Sequence, residues 1–220
     1  MRSSHLPKLN PPMEKKNSTP EIEVRSIVSG LQIRQAEDGK QSRTIIGYAS
    51  KFDTWSEPIY GWFVEKIARG AFEKTDMSDV IMVFNHDISG VLARTTSGTL
   101  KLTVDEVGLS FEFDAPDTTL GNDMLELVRR GDISKCSFKF VVETDEWRYA
   151  DEKNKLEYDE RTVKSIARLY DVSLVTYPAY KDTEAAVRAH LEQRKRDAMT
   201  PSKVDTTSRD RAVAVLKLNH

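Results

Sequence analysis

The sequence Asp132-Ile-Ser-Lys-Cys-Ser-Phe-Lys-Phe-Val-Val142 alternates between apolar and polar residues, and it follows a helical pattern that ends at Gly131. A period of two predicts a β-strand, because successive side chains of a strand point to opposite faces of the sheet. Cys136 and Phe138 are therefore expected on one face and Ser137 on the other. A buried strand has no structural need for a serine at this position. A histidine and an acid elsewhere in the chain would give Ser137 a chemical role.

Length and composition favour one domain with a sizeable core. The chain has 220 residues, of which 39% are hydrophobic and 31% are charged, and a chain of this size can bury one core and still carry polar ends. The formal net charge of -2 gives no basic footprint for binding nucleic acid or a membrane surface. The single cysteine excludes an internal disulfide. No apolar run approaches the roughly 18 residues that span a bilayer, and we expect neither a membrane-spanning nor a secreted protein.

The two ends of the chain differ in composition from its middle. Residues 1–21 are rich in Pro, Ser, Lys and Asn, and they are predicted to form a flexible leader, with Met13 as an alternative start. The composition becomes polar again towards the other end, and residues 196–220 are predicted to form a flexible tail. The ordered domain is therefore expected to comprise residues 22–195.

Many short strands are predicted within this domain. Alternating or continuous apolar runs occur at residues 22–28, 31–33, 44–52, 79–84, 91–94, 100–104, 109–113 and 165–177. Residues 63–72 are predicted to form a strand followed by a short helix, and residues 143–164 a charged, hairpin-like segment. One amphipathic helix is predicted from a cap at Thr118 or Thr119 to Gly131, and another begins at Asp182. The predicted fold class is α+β, a mostly antiparallel β-barrel flanked by helices.

One of the four histidines is well placed for chemistry. His86 directly follows the apolar run at residues 79–84, and loops at strand ends hold functional groups on a rigid scaffold. The structural alternative is a histidine that makes an ordinary loop hydrogen bond. His5 and His220 fall in the predicted leader and tail, and His190 falls on the charged second helix.

Asp171 is the candidate acid. It lies inside the long apolar run at residues 165–177, where a carboxylate is costly unless it is paired or hydrogen-bonded. Orienting an imidazole is one way to satisfy this carboxylate. A structural pairing with Arg168 or Lys139 is the other.

Other chemistries have weaker support. Ser134 and Cys136 are alternative nucleophiles in the opening stretch, but alternation places Cys136 on the phenylalanine face, which favours an inert buried thiol. Asp53 and Asp87 could join His86 at a metal, yet one histidine with scattered carboxylates lacks the spacing of a zinc site. No glycine-rich phosphate loop is present. We predict neither a metal nor a cofactor.

Several motifs, taken in order, resemble those of the prohead maturation protease family of tailed bacteriophages. They are Ile46-Gly-Tyr-Ala, Gly70-Ala-Phe72, Val83-Phe-Asn-His-Asp87, Gly108-Leu-Ser-Phe, the stretch from Gly131 through Phe140, and Tyr170-Asp-Val-Ser-Leu-Val-Thr-Tyr-Pro-Ala179. The resemblance covers residues 22–190. It implies a fold similar to that of the herpesvirus assemblin proteases, a β-barrel surrounded by helices with a serine nucleophile and a histidine.

The resemblance also implies a role for each candidate residue. His86 matches the catalytic histidine of the family, and Ser137 matches its nucleophile. Asp171 stands where the family usually has glutamate, so the third member of the set is shorter by one methylene. Lys139 replaces a residue that is usually small.

The activity that the resemblance implies is that of a serine endopeptidase in prohead maturation. Its substrates would be the scaffold segment of the major capsid protein and the protease itself, inside the immature capsid in the host cytoplasm. Neither nucleic acid nor a membrane is required, and a homo-oligomer stays an open alternative. The competing hypothesis is a non-catalytic β-barrel that serves as a shell-assembly or scaffolding partner, with its catalytic set inactivated by the exchange at Asp171. The distance from Ser137 to His86 discriminates between the two.

Overall fold

The computed structural model describes residues 21–35, 42–151 and 156–177, together with residues 192 and 196. The predicted leader, tail and second helix lie almost wholly outside these residues. The chain divides into two compact units, Met1–Asp182 and Thr183–His220. In the second unit, the described Arg196 Nη1 and Glu192 Oε2 are 3.9 Å apart. No helix in the described part of the chain has both the length and the hydropathy needed to cross a membrane.

Ten strands and one helix make up the described part of the first unit. In chain order they are β1 (Ile22–Val28), β2 (Gln32–Ile33), β3 (Thr44–Lys51), β4 (Phe63–Ile67), β5 (Ile81–Phe84), β6 (Asp87–Arg94), β7 (Leu100–Val104), β8 (Gly108–Asp114), α1 (Thr119–Arg130), β9 (Lys135–Arg148) and β10 (Asp159–Val175).

The strands form two sheets. The six-stranded sheet has the order β1-β9-β10-β5-β6, with β4 also paired to β10, and the four-stranded sheet has the order β2-β3-β8-β7. Most pairs are antiparallel, whereas β10 runs parallel to both β4 and β5. The structure is therefore mostly β with one helix in its described part. Within the described ranges, the pairings do not close either sheet into a barrel.

The long strands β9 and β10 are the centre of the larger sheet. The predicted charged segment at residues 143–164 belongs largely to them, because it continues β9 to Arg148 and begins β10 at Asp159. A regular strand would bury every second residue of the predicted run at 165–177, but register shifts interrupt this alternation between Val163 and Asp171. Such bulges add residues to one strand and change which side chains face the core. Ile166 and Leu169, three positions apart, are consequently both buried.

One apolar core joins the two sheets. Phe138 and Phe140 of β9 stack with ring centroids 4.7 Å apart, and they belong to the same buried cluster as Phe111 and Phe113 of β8. Helix α1 adds Met124 and other apolar residues from one face. The predicted face of β9 is confirmed, because its aromatic residues point into this core.

Both ends of α1 have the predicted signals. The Gly121 amide donates to Thr118 Oγ1 at 3.1 Å at the N-terminus, and Gly131 has a φ of 79° at the C-terminus. The predicted short helix through Phe72 is wrong. Residues 68–75 instead form successive turns, because Gly70 has a φ of 83° and a left-handed residue interrupts a helix.

Five charged side chains, two of them buried and three half-buried, lie together where β1 meets β4, β9 and β10. We call Glu23, Arg25, Glu65, Asp145 and Arg161 the β1 charge cluster. Arg161 Nη1 donates to Glu65 Oε2 at 2.8 Å, and Arg25 Nε donates to Glu65 Oε1 at 2.7 Å. Burying such pairs gains little net stability, but removing one partner leaves a charge uncompensated. The cluster therefore fixes the position of β1 on the sheet.

We predict that Glu23→Gln destabilises the protein at neutral pH and flattens its acid sensitivity. Burial alone would raise the pKa of Glu23, but Arg161 and Arg25 outweigh burial and lower this pKa from 4.5 to about 2. A lowered pKa stabilises the fold above pH 4.5, and this stabilisation is lost as the pH falls towards 2. Chemical denaturation at pH 7 should show a loss on the order of 3 kcal/mol.

The matched control is Glu112→Gln on the four-stranded sheet. Glu112 pairs with Arg34 at 2.7 Å, where the two side chains are 32% and 50% exposed respectively. Such a surface pair contributes about 1 kcal/mol or less. Equal losses for the two variants, or a Glu23→Gln protein as stable as the wild type at pH 7, would contradict the proposed function of the cluster.

Candidate functional site

Ser137, His86 and Asp171 meet on one face of the six-stranded sheet. Ser137 Oγ lies 2.7 Å from His86 Nε2, and Asp171 Oδ1 lies 2.7 Å from His86 Nδ1. Ser137 is fully buried, and the side chains of His86 and Asp171 are 11% and 4% exposed. The structure thus brings the three predicted residues into one continuous chain of hydrogen bonds.

The register of three strands produces this meeting. Ser137 of β9 stands opposite Ser173 of β10, and Lys139 stands opposite Asp171. Asp171 and Ser173 are two residues apart and share a face. On the other side of β10, Val83 of β5 is the partner of Ser173. The residues that follow β5, including His86, therefore lie close to Ser137.

His86 lies in a two-residue turn between β5 and β6. The strands pair up to Phe84 and Asp87, and the two residues between them, Asn85 and His86, have φ values of 49° and 60°. Two positive φ angles are the pattern of a type I′ hairpin turn, and asparagine and histidine tolerate this region better than most residues. The hairpin therefore presents the imidazole at the end of a buried strand.

Contacts with β10 hold this turn in place. The Asn85 amide donates to Leu174 O at 2.9 Å, and the Thr176 amide donates to Asn85 Oδ1 at 3.1 Å. The His86 amide donates to Ser173 Oγ at 2.8 Å. The role of Ser173 was missed by the sequence reasoning. Alternation places Ser173 on the face of Asp171, and this was the available signal.

The second carboxylate oxygen of Asp171 faces a lysine. Lys139 Nζ lies 3.5 Å from Asp171 Oδ2, so the pairing with Lys139 coexists with the contact to His86. Arg168, the other suggested partner, instead lies 3.7 Å from Asp76 Oδ2. The shorter aspartate side chain thus reaches the imidazole directly while Lys139 offsets its charge.

Ser137 Oγ has a further acceptor, the main-chain oxygen of Arg25 on β1, at 2.9 Å. A hydroxyl has a single proton and cannot donate to both acceptors at once. When Nδ1–H of a neutral imidazole donates to Asp171, Nε2 is free to accept the proton of Ser137. When the imidazole is charged, Nε2–H donates to Ser137 Oγ and the hydroxyl donates to Arg25 O. The arrangement can therefore accommodate both protonation states of a general base.

The alternative nucleophile and the alternative metal ligands do not form a comparable hydrogen-bonded site. Cys136 is fully buried in the core, and burial raises the pKa of its thiol well above the ordinary range, which disfavours the nucleophilic thiolate. Asp87 Oδ1 accepts from Ser89 Oγ at 2.7 Å. Among the described residues, no three His, Cys, Asp or Glu side chains form a group that could hold a metal ion.

Comparison with protein families places the chain. A family model described as the caudovirus prohead serine protease matches residues 29–199. The chain belongs to this family. It is therefore a serine protease with a role in phage capsid maturation, as the order of its motifs predicts. The searches of curated proteins and of solved structures gave no significant match. The family match begins at Ser29, so β1 and its contacts with Ser137 lie outside it.

We predict that Ser173→Ala slows the protease through the position of its histidine. The change leaves the His86 amide without its acceptor at a buried site, which costs about 1–3 kcal/mol. The rate at which a fluorophosphonate labels Ser137, the predicted nucleophile, should fall about tenfold, because small displacements of His86, the predicted base, are costly. The control is Ser165→Ala on the same strand, whose hydroxyl pairs with Thr144 Oγ1 at 2.6 Å. Equal labelling rates for the two variants would contradict this role.

Proposed function

We propose that Ser137, His86 and Asp171 carry out peptide hydrolysis as nucleophile, general base and orienting acid. The observation that carries this proposal is the unbroken chain of 2.7 Å contacts from Asp171 through both ring nitrogens of His86 to Ser137. A serine and an imidazole far beyond hydrogen-bond reach would have favoured the non-catalytic hypothesis, and the two atoms lie 2.7 Å apart. The aspartate at a position where the family usually has glutamate does not indicate an inactive enzyme, because Asp171 reaches His86 without the extra methylene.

The first half of the reaction forms an acyl-enzyme. Ser137 Oγ attacks the carbon of the scissile carbonyl while its proton passes to His86 Nε2. The tetrahedral intermediate collapses when Nε2–H protonates the leaving amine and the C–N bond breaks. Asp171 accepts from Nδ1–H throughout, which fixes the tautomer and stabilises the imidazolium.

The second half releases the product. A water molecule gives its proton to His86 Nε2 and attacks the acyl carbon, and the bond to Ser137 Oγ then breaks as the proton returns to Oγ. This sequence regenerates the enzyme and needs no cofactor.

Access to the nucleophile requires a local opening. Ser137 is fully buried, and a scissile carbonyl must approach within bonding distance of its Oγ. Part of the surrounding chain must therefore move before the substrate binds. The substrate we propose is the scaffold segment of the major capsid protein, inside the immature capsid in the host cell, and the protease also cuts itself. The membership in the prohead protease family supports this assignment.

The proposal extends to the architecture. The sheets are linked at their edges by a parallel bridge between Phe52 and Ile67 and by the Ser29 hydroxyl, which donates to Tyr48 O at 2.6 Å. These links support a barrel-like arrangement of the two sheets, as in the assemblin proteases. The protease domain that we propose comprises residues 22–195.

We predict that Ser137→Ala abolishes processing when it is coexpressed with the major capsid protein. The loss should be about 10³-fold or more, because the alanine variant has no nucleophile. Gel electrophoresis of the capsid chain over time measures it. Cys136→Ala is the matched control one residue away on the opposite face, and it should process normally. Processing by Ser137→Ala, or its loss in Cys136→Ala, would contradict the serine mechanism.

The acid gives a separate prediction. Asp171→Asn should lower the labelling rate of Ser137 by about 10²- to 10⁴-fold, because an amide favours the wrong imidazole tautomer. Asp171→Glu restores the residue that the family usually has, but it adds a methylene to a site that is 3% exposed. We expect this variant to be about tenfold slower than the wild type, since overpacking displaces His86. A glutamate variant faster than the wild type would show that Asp171 is too short for its role.

A further inference from the structure

We propose that Ser26 on β1 donates a hydrogen bond to the oxyanion that forms when Ser137 attacks its substrate. This inference rests on the assignment of Ser137 as nucleophile. It concerns a strand that precedes the family match, which begins at Ser29.

The register places Ser26 beside the nucleophile. In the antiparallel pair of β1 and β9, Ser26 stands directly opposite Ser137. Residues opposite one another share a face of the sheet, with Cβ atoms about 4.5–5.5 Å apart. A carbonyl carbon bonded to Ser137 Oγ would therefore hold its oxygen within reach of the Ser26 hydroxyl.

Ser26 also has an unused hydroxyl. Among the described residues, its Oγ is the one buried side-chain nitrogen or oxygen that lacks a hydrogen-bond partner. A buried hydroxyl without a partner costs about 1–3 kcal/mol and requires an explanation. An oxyanion donor would lack a partner in the free enzyme, because its acceptor forms only during the reaction. This role therefore explains the unpartnered hydroxyl.

The neighbouring donors are already in use. The Ser173 hydroxyl donates to Val83 O at 3.3 Å, and Lys139 Nζ lies 3.5 Å from Asp171 Oδ2. Arg168, which stands opposite Val141 rather than Ser137, is paired with Asp76. Strand β9 is paired on both sides at Ser137, so its backbone amides there belong to the sheet ladders.

The β1 charge cluster holds Ser26 in position. Arg25 immediately precedes Ser26, and its guanidinium is bonded to Glu65 of β4 at 2.7 Å. Glu23 is bonded to Arg161 of β10 at 2.9 Å. A donor fixed in this way needs no reorganisation when the charge develops, and such preorganisation makes an oxyanion hydrogen bond effective. Ser26 keeps its proton throughout the step.

The test compares Ser26→Ala with Ser26→Thr. With purified capsid protein as the substrate, Ser26→Ala should lower kcat by roughly 10²-fold and leave KM little changed. The rate of fluorophosphonate labelling should fall in parallel, and the melting temperature should stay the same or rise, because a buried unpartnered hydroxyl has been removed. Ser26→Thr keeps the hydroxyl on a residue suited to strands, and it should stay within a few-fold of the wild type.

The control is Ser110→Ala on β8, whose hydroxyl donates to Thr103 O at 2.9 Å on the other sheet. It should leave kcat unchanged. A wild-type kcat for Ser26→Ala would overturn the inference, and so would a loss in both Ser26 variants that follows their melting temperatures. Ser137→Ala distinguishes a failure of the serine mechanism from a failure of the Ser26 role. If Ser137→Ala still processes capsid protein, the proposed mechanism is wrong. If Ser137→Ala is inactive and Ser26→Ala is fully active, only the role of Ser26 is wrong.

Discussion

The antiparallel register of β9 and β10 is the constraint on which the site depends. Ser137 stands opposite Ser173, and Asp171 lies two residues from Ser173 on the same face. The parallel strand β5 ends beside them, so that the turn after β5 places His86 between Ser137 and Asp171. A slip of one residue would send Ser137 into the phenylalanine core and Cys136 to the outer face. The stacked rings of Phe138 and Phe140 penalise such a slip, so the same packing that stabilises the fold also sets the chemistry.

The site combines rigid and adjustable parts. Ser137 and Asp171 lie on central strands that are paired on both sides, whereas His86 occupies a two-residue turn with left-handed backbone angles. Hydrogen bonds from the turn to β10 compensate for this unusual conformation. On the other flank, β1 pairs with β9 along Ile22–Val28, and the β1 charge cluster links it to β4 and β10 as well. These ion pairs add to the contacts of the strand that places Arg25 O and Ser26 beside Ser137, the proposed nucleophile.

Local patterns predict much of this site. Alternation predicts the faces of Ser137 and Cys136, the buried carboxylate of Asp171 indicates an unusual partner, and Thr118 and Gly131 define the helix. The roles proposed for Ser26 and Ser173 depend on the register between distant strands, which no local pattern encodes. The bulges of β10 and the turns around Gly70 are also set by tertiary packing, so periodicity misassigned both. Glu23 and Arg161 resemble ordinary surface charges in the sequence, and the fold pairs them.

The position of the single cysteine has a practical consequence for biophysical work. Cys136 is the one thiol in 220 residues, and the core encloses it completely. A water-soluble maleimide should therefore not label the folded wild-type protein. A cysteine introduced at Ile88, which is 73% exposed on β6 beside the histidine turn, would carry a spin label or fluorophore at one defined place. The opening that must uncover Ser137 could then be followed by spectroscopy without removing any native residue of the core.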